Sequence, residues 1–459
     1  MRFSPVLFSC GRVVSSRFPL PPIPDIPLAH YIIKSLGQNT EELAFIDGVS
    51  GATTTRGELR EQILCVSSAM SERVEPGDVV AVSLPNIPQY LLPVLGSIHA
   101  GAQVSLYNPV YTEEETRHAL QLTKPKYVVT TALSLTNIQS QMKDTAVEEV
   151  LVVGAAPEHS NTTPFTDLLT DQTSSKAGND EPPVDLTNTA LMPFSSGTTG
   201  LPKAVCLSHR NILAQLVQTQ HPMFGPVDQG MNMMCLLPMF HMYGMVMTLT
   251  TLCRSGHVTS LPRFELETFL NAIEKYKIHH VPIVPPIATV LAKHPDVEKY
   301  NLSSVTAIPC ASAPLSKEIQ NAIFSRLNVN TLRNGYGMSE IVGAGIVPHP
   351  DNAIKVMKKG SIGEVLVGME ARVVDIETGE DLGPGVEGEI LMKGPTVMKG
   401  YLGDAGATAA TIDDDGWIHT GDIGKYDEEN DFYITDRLKE LIKYKGWQVR
   451  NFLCILFFS

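Results

Sequence analysis

Between residues 79 and 332 the chain alternates short apolar runs with amphipathic stretches, and few architectures accept that rhythm. Residues 79–84 read as a strand leading into a helix near 89–100, and 127–130 as a strand that follows a helix opened by the capping box Thr112-x-x-Glu115. Alternating β and α elements point to an α/β fold in which parallel sheets are covered by helices on both faces. Ligands of such folds sit at the carboxyl ends of strands. Residues 167–185 are polar and lack apolar periodicity, so they read as a surface connection between two α/β subdomains. Beyond about residue 360 the texture changes to short β-rich pieces (361–374, 388–392, 417–419 and 432–435) punctuated by glycine and acids, which predicts a smaller β-rich subdomain. The boundaries expected are an irregular lead-in over 1–40, a first α/β subdomain over 41–185, a second over 186–355, a β-rich subdomain over 356–435 and a short remainder over 436–459.

Directly behind the apolar run 189–194 stands Ser195-Ser-Gly-Thr-Thr-Gly-Leu-Pro-Lys203. Gly197 and Gly200 let the backbone approach an anion closely and expose amide donors, while Ser195, Ser196, Thr198 and Thr199 add hydroxyls and Lys203 a point charge. The spacing is not that of the common P-loop, which needs four residues between its glycines and a Lys-Ser or Lys-Thr after the second. The segment reads as a polyphosphate grip at a strand end. Gly, Ser and Thr also build ordinary turns, but a turn has no need of so many donors beside a strand.

The formal charge is −14, from 35 basic and 49 acidic residues, and no Lys/Arg stripe is visible, which argues against a nucleic-acid or anionic-membrane surface. An anionic ligand must therefore be held locally. Seven scattered cysteines without CxxC spacing argue against a disulfide framework or a zinc site and fit a reducing compartment. Residues 231–253 contain no Lys, Arg, Asp or Glu, yet Pro238, His241 and Gly244 interrupt them. They divide into a strand, a turn and a buried helix better than they make a membrane span. At the front, Arg2, Arg12 and Arg17 lie among serines with no acid before Asp25, a composition that a mitochondrial presequence and a Pro-rich lead-in share.

Four further clusters accompany the loop. In Asn334-Gly-Tyr-Gly-Met-Ser-Glu340, two glycines allow close backbone approach, Tyr336 offers an aromatic face to a planar base, and Glu340 offers a hard oxygen for Mg²⁺. Pro238-Met-Phe-His-Met-Tyr-Gly244 and Cys310-Ala-Ser-Ala-Pro-Leu315 supply an uncharged pocket wall. Trp417-Ile-His-Thr-Gly-Asp422 places a carboxylate after a strand, where it would accept from ribose hydroxyls. Each has a plainer reading. His241 in an apolar run is compatible with a satisfied core histidine, Asp422 and Arg437 with a surface ion pair, and the methionines between 231 and 247 with core packing.

With these motifs in order from about residue 45 to residue 449, the chain resembles the adenylate-forming acyl-CoA synthetases, most closely the 4-coumarate:CoA ligase and firefly-luciferase-like branch. The resemblance implies a two-step ligase: Mg·ATP and a small carboxylic acid give an acyl-adenylate and pyrophosphate, then the thiol of coenzyme A displaces AMP. It implies that Ser195 to Thr199 and Lys203 hold the β- and γ-phosphates, and that Glu340 ligates Mg²⁺ with Ser339 on a phosphate. Tyr336 would stack on adenine in a pocket lined by Ser312, Ala313, Asn334 and Gly335, and Asp422 and Arg437 would fix the ribose. His241 would sit near the acyl carboxylate and thiol entrance, making His241, Lys203 and Glu340 the catalytic set. Tyr243, Cys310, Gly337 and Met338 would line the acid pocket. Lys439 would mark a domain hinge, with Lys443, Gly446 and Gln448 facing the nucleotide or the pantetheine tunnel.

Three departures stand out. Ala204 replaces the usual glycine, and Ser339 and Asn334 replace threonine and glutamine or glutamate, all mild changes. After Val449 the family continues with a C-terminal α+β domain on the order of 100 residues, whereas ten unmatched residues follow here. That domain supplies a lysine bridging the acyl carboxylate and the α-phosphate. A preorganised cation there is worth about 3–4 kcal/mol, or roughly 10²–10³ in rate, so the expectation is slow adenylation by these 459 residues. Luciferase-like oxidation and a non-catalytic nucleotide-binding role, including dimerisation with a full-length form, are the competing expectations. The apolar end shows no peroxisomal address, so cytoplasm, peroxisome and mitochondrion all stay open.

Overall fold

Val79-Val-Ala-Val-Ser83 is buried almost throughout, and its side chains divide by the period of two that a strand imposes. Val80 and Val82 join one core with Leu59, Ile63, Leu91 and Leu95, while Ala81 joins another with Ala119, Leu120, Leu135 and Ile138. A strand whose two faces enter two apolar cores is one covered by helices on both sides. In this computed structural model the residues described are 13–37, 40–155, 161–170, 184–195, 201–224, 230–312, 315–327, 329, 331–348 and 360–438, plus the backbone of Ile442–Tyr444 and Trp447–Val449.

The strand lies inside an eight-stranded sheet, in the order Gly400–Tyr401, Lys203–Ser208, Thr189–Ser195, Gln103–Leu106, Val79–Ser83, Tyr127–Thr131, Glu149–Val153, Thr162–Pro164. From Thr189–Ser195 onward the neighbours are parallel. Lys203–Ser208 and Gly400–Tyr401 close that edge antiparallel. A second sheet runs Asn232–Cys235, His257–Ser260, Leu43–Asp47, Thr53–Thr55. Bridges through His280 continue it to the parallel pair Ala307–Cys310 and Thr331–Asn334. The β-rich part is a five-stranded antiparallel sheet of Val14–Ser15, Glu370–Val374, Gly388–Lys393, Ile418–Tyr426 and Phe432–Arg437. The α/β architecture with an additional β-rich sheet is the one the alternation predicts.

The capping box on the helix Glu113–Thr123 is formed as expected, with both reciprocal Thr112 and Glu115 bonds present. The uncharged stretch 231–253 resolves into the strand Asn232–Cys235 and the helix Met242–Cys253, whose methionines 242, 245 and 247 pack into the core. Among the described residues no helix is long and apolar enough to cross a membrane. One element escaped the sequence: Leu28–Leu36 is a helix burying Leu28, Ala29, Ile32, Ile33 and Leu36. The i, i+3/i+4 pattern is present, but it follows a proline-rich run that reads as irregular chain.

Candidate functional site

The phosphate-loop candidate joins two antiparallel strands. Ser195 ends one strand and stands opposite Lys203, the first residue of the next, in antiparallel register. Ser196, Gly197, Thr198 and Thr199 lie outside the described residues. The far end of the loop is pinned by His118, whose Nε2 donates to the Pro202 carbonyl at 2.8 Å. Lys203 Nζ sits 3.0 Å from Asp404 Oδ2 and 5.1 Å from the centre of the Tyr401 ring. Asp404 also caps the helix Ala405–Thr411 by accepting from the Ala407 amide. That amide, and then Lys203, hold its carboxyl below the usual carboxylate range.

Glu340 sits in the turn Ser339–Ile341 directly after the strand Tyr336–Met338 and is only 6% exposed. Its Oε1 accepts from Tyr401 Oη at 2.9 Å, and its other oxygen has no protein partner among the described residues. Burial, then the Glu340 charge, push the Tyr401 hydroxyl upward, so it stays protonated and donates. Two residues beyond Glu340, Val342 takes φ 62°, a left-handed conformation that a β-branched side chain seldom adopts. Such strain persists only where the surroundings over-determine it, and it gathers at functional sites.

A cavity of about 540 Å³ brings the other motifs together. His241, Tyr243, Cys310, Ser312, Gly335, Tyr336, Gly337, Met338 and Ser339 all line it, so three clusters far apart in sequence share one wall. Its remaining surface is mainly apolar, with Phe224, Leu237, Val246, Met247 and Val284. His241 precedes the helix Met242–Cys253 and opens onto the cavity, and desolvation by the surrounding protein lowers its pKa. Burial pushes the Cys310 thiol up to about 12 and raises the Tyr243 hydroxyl as well. Ser312 has φ 78°, turning the chain sharply where the strand Ala307–Cys310 ends. Ala313 lies outside the described residues.

Three buried polar atoms at or beside this cavity lack any partner among the described residues: Tyr243 Oη, Asn334 Oδ1 and Arg333 Nε. Unpaired buried groups are costly, so all three suit an arriving ligand with complementary atoms. Gly335 fits the same idea, since a Cβ there would meet nothing nearer than Ile346 O at 3.5 Å. Arg333 also lines the cavity, donating from Nη1 to the Phe224 carbonyl at 2.6 Å, and burial lowers its pKa. Neither Arg333 nor Tyr401 was singled out by the sequence. Arg333 adjoins a motif and was within reach, but Tyr401 acquires its contacts only through folding.

Asp422 ties the cavity to the β-rich sheet. It faces Arg437 directly across the strands Ile418–Tyr426 and Phe432–Arg437. Its Oδ2 accepts from Tyr336 Oη at 2.7 Å and its Oδ1 from Arg437 Nε at 3.0 Å. The pair is half interior: the aspartate side chain is 9% exposed and the arginine 60%. Burial, then Asp422, raise the Tyr336 hydroxyl well above its ordinary value. Lys443 and Gln448 stand opposite each other in the hairpin Ile442–Tyr444 and Trp447–Val449, their side chains outside the described set, as are Lys439 and Gly446.

The family model described as AMP-binding enzyme matches residues 34–402. A probable 4-coumarate–CoA ligase of Dictyostelium discoideum is 37% identical over 450 residues, covering 95% of this chain and 81% of that protein. A 4-coumarate–CoA ligase of Petroselinum crispum is 34% identical over 437 residues, covering 92% and 78%. Among solved structures, the luciferase-like enzyme of the nonluminescent mealworm Zophobas morio superimposes with a TM-score of 0.85 at 27% identity, covering 94% of this chain and all of that one. A red-emitting luciferase of Phrixothrix hirtus gives 0.82 at 28%, covering 97% and 84%. With the motifs gathered in one site and a family match over most of its length, the chain belongs to the AMP-binding, adenylate-forming enzymes.

Proposed function

We propose that this protein is an ATP-dependent acid–CoA ligase, and the observation that carries the proposal is the shared cavity that unites the His241, Cys310 and Gly335 clusters. In the first step a carboxylate oxygen attacks the α-phosphorus of ATP, the bond to the departing pyrophosphate breaks, and an acyl-adenylate forms. In the second the coenzyme A sulfur, having lost its proton, attacks the acyl carbonyl and AMP leaves. The family relatives named 4-coumarate–CoA ligases support this reading.

Within it, Lys203 and the loop from Ser195 take the terminal phosphates, exchanging Asp404 for phosphate as the partner of Lys203. Gly335 gives the adenine and its sugar room against the backbone, with Asn334, Ser312 and the Tyr336 ring around them. Asp422 accepts from the ribose with Arg437 behind it. The partner-free oxygen of buried Glu340 suits a hard cation, and Mg²⁺ bound there would offset charge on the phosphates. His241 sits at the cavity, where it can position the acid. The apolar lining favours an acid with an aryl, cinnamoyl-like or alkyl body.

The test is mass-spectrometric detection of acyl-AMP and acyl-CoA after incubating the purified chain with Mg·ATP, coenzyme A and a panel of hydroxycinnamic, benzoic and fatty acids. Product from one acid class supports the ligase and names its substrate. Bound ATP without either product would refute it. The likeness to luciferase-like structures favours a second reading, oxidation of the acyl-adenylate, for which oxygen-dependent light emission is the discriminating signal.

A further inference from the structure

We propose that Tyr401 is a positioning residue for this reaction, orienting Glu340 toward a divalent cation and tying that carboxylate to the phosphate-loop hairpin. The inference rests on the ligase reading of the same site. Tyr401 lies 61 positions from Glu340 in sequence, on a two-residue strand that forms the edge of the eight-stranded sheet. It stands opposite Val205 of the strand Lys203–Ser208, and the neighbouring Leu402 amide donates to Ala204 O at 2.9 Å. The segment therefore belongs physically to the loop hairpin.

From that edge it holds Glu340 twice. The Met398 amide donates to the Glu340 carbonyl at 2.8 Å, and Tyr401 Oη donates to Oε1 at 2.9 Å. The first bond sets the backbone and the second selects the rotamer, leaving the other carboxylate oxygen without a protein partner among the described residues. Its ring also faces Lys203 Nζ at 5.1 Å. One side chain thus meets the Lys203 end of the phosphate loop and the candidate cation ligand. A partner that orients a ligating carboxylate matters to the metal nearly as much as the ligand itself.

The experiment measures Mn²⁺ binding by electron paramagnetic resonance in the presence of a β,γ-methylene ATP analogue, for the full chain and three variants. Tyr401→Phe keeps the ring and its Lys203 contact but removes the oxygen. It should weaken Mn²⁺ binding at least about 10-fold while leaving metal-free analogue binding and the melting temperature nearly unchanged. Thr408→Ala loses two hydrogen bonds, the one Thr408 Oγ1 accepts from the Tyr401 amide and the one it donates to the Asp404 carbonyl, and should hold Mn²⁺ affinity within about two-fold. Glu340→Gln separates the two levels of the argument. If it weakens Mn²⁺ binding and Tyr401→Phe does not, the positioning role is overturned while the site reading stands. If neither variant affects Mn²⁺, the cation is not at Glu340 and both fall. A Tyr401→Phe chain that loses metal-free analogue binding and melts early in proportion would mean a merely structural role, which also overturns the proposal.

Discussion

Gly335 and Gly337 stand two residues apart in one motif, yet an added methyl should do opposite things at the two. At Gly337 a Cβ would fall 1.6 Å from the Gly343 carbonyl oxygen, 2.5 Å from its carbon and 3.0 Å from Ala344 Cα. All three are backbone atoms of the partner strand Gly343–Val347, so no side chain can turn aside. That strand would have to retreat by roughly an ångström or more, taking with it the strained turn at Val342 and the Glu340 that precedes it. Overpacking of this kind costs about 3 kcal/mol or more, which at roughly 2–4 °C per kcal/mol lowers the melting temperature by about 6–12 °C. At Gly335 the nearest atom to a Cβ is Ile346 O at 3.5 Å, an ordinary contact, and the backbone is not left-handed. Gly335→Ala should therefore melt within about 0.5 kcal/mol of the parent while its methyl, on the cavity wall, weakens ATP-analogue binding. Differential scanning fluorimetry and an equilibrium titration with the analogue read both variants. A Gly337→Ala protein melting like the parent, or a Gly335→Ala protein that melts early and binds normally, would refute the steric reasoning.

Asp404→Asn keeps the cap on the helix Ala405–Thr411 but releases Lys203 from a partly exposed ion pair, so ATP-analogue affinity should rise by up to about five-fold; a fall would show that Asp404 holds the lysine in its working position. Burial depresses the pKa values of His221 and His257 below the unfolded value near 6.5. Their contribution to stability is complete above about pH 6.5 and is lost as pH falls toward the folded values, because the unfolded chain takes up protons first. Melting temperature should thus drop as pH falls below about 6.5, and His257→Gln should flatten that slope; an unchanged slope would count against the desolvation argument. Burial lifts the thiols of Cys235 and Cys310 to about 12 and that of Cys253 to about 11, so peptide mapping after iodoacetamide at about pH 8 should find them unmodified in the folded chain and labelled in urea. Rapid native labelling of Cys310 would mean that its pocket opens to water.

Much of this protein was legible in short windows of sequence. Strand and helix periodicity, the Thr112–Glu115 capping box, the loop ending at Lys203 and the Gly335–Glu340 motif each depend on residues within a few positions of one another. So does the division of 231–253 into strand and helix, because Pro238 acts locally, whereas Gly244 is carried inside the helix. The gathering of His241, Cys310 and Tyr336 around one cavity was expected from resemblance, yet no local pattern contains it.

The strand partnerships were of another kind. Leu43–Asp47 lies beside His257–Ser260, Val14–Ser15 closes the β-rich sheet, and Gly400–Tyr401 completes the sheet that carries the phosphate loop. A strand edge offers the same amides and carbonyls whatever its side chains, so local sequence does not say which distant strand will pair there. That choice falls to the burial summed over the whole fold. It is this choice that brings Tyr401 to Glu340, Asp404 to Lys203 and Asp422 to Tyr336.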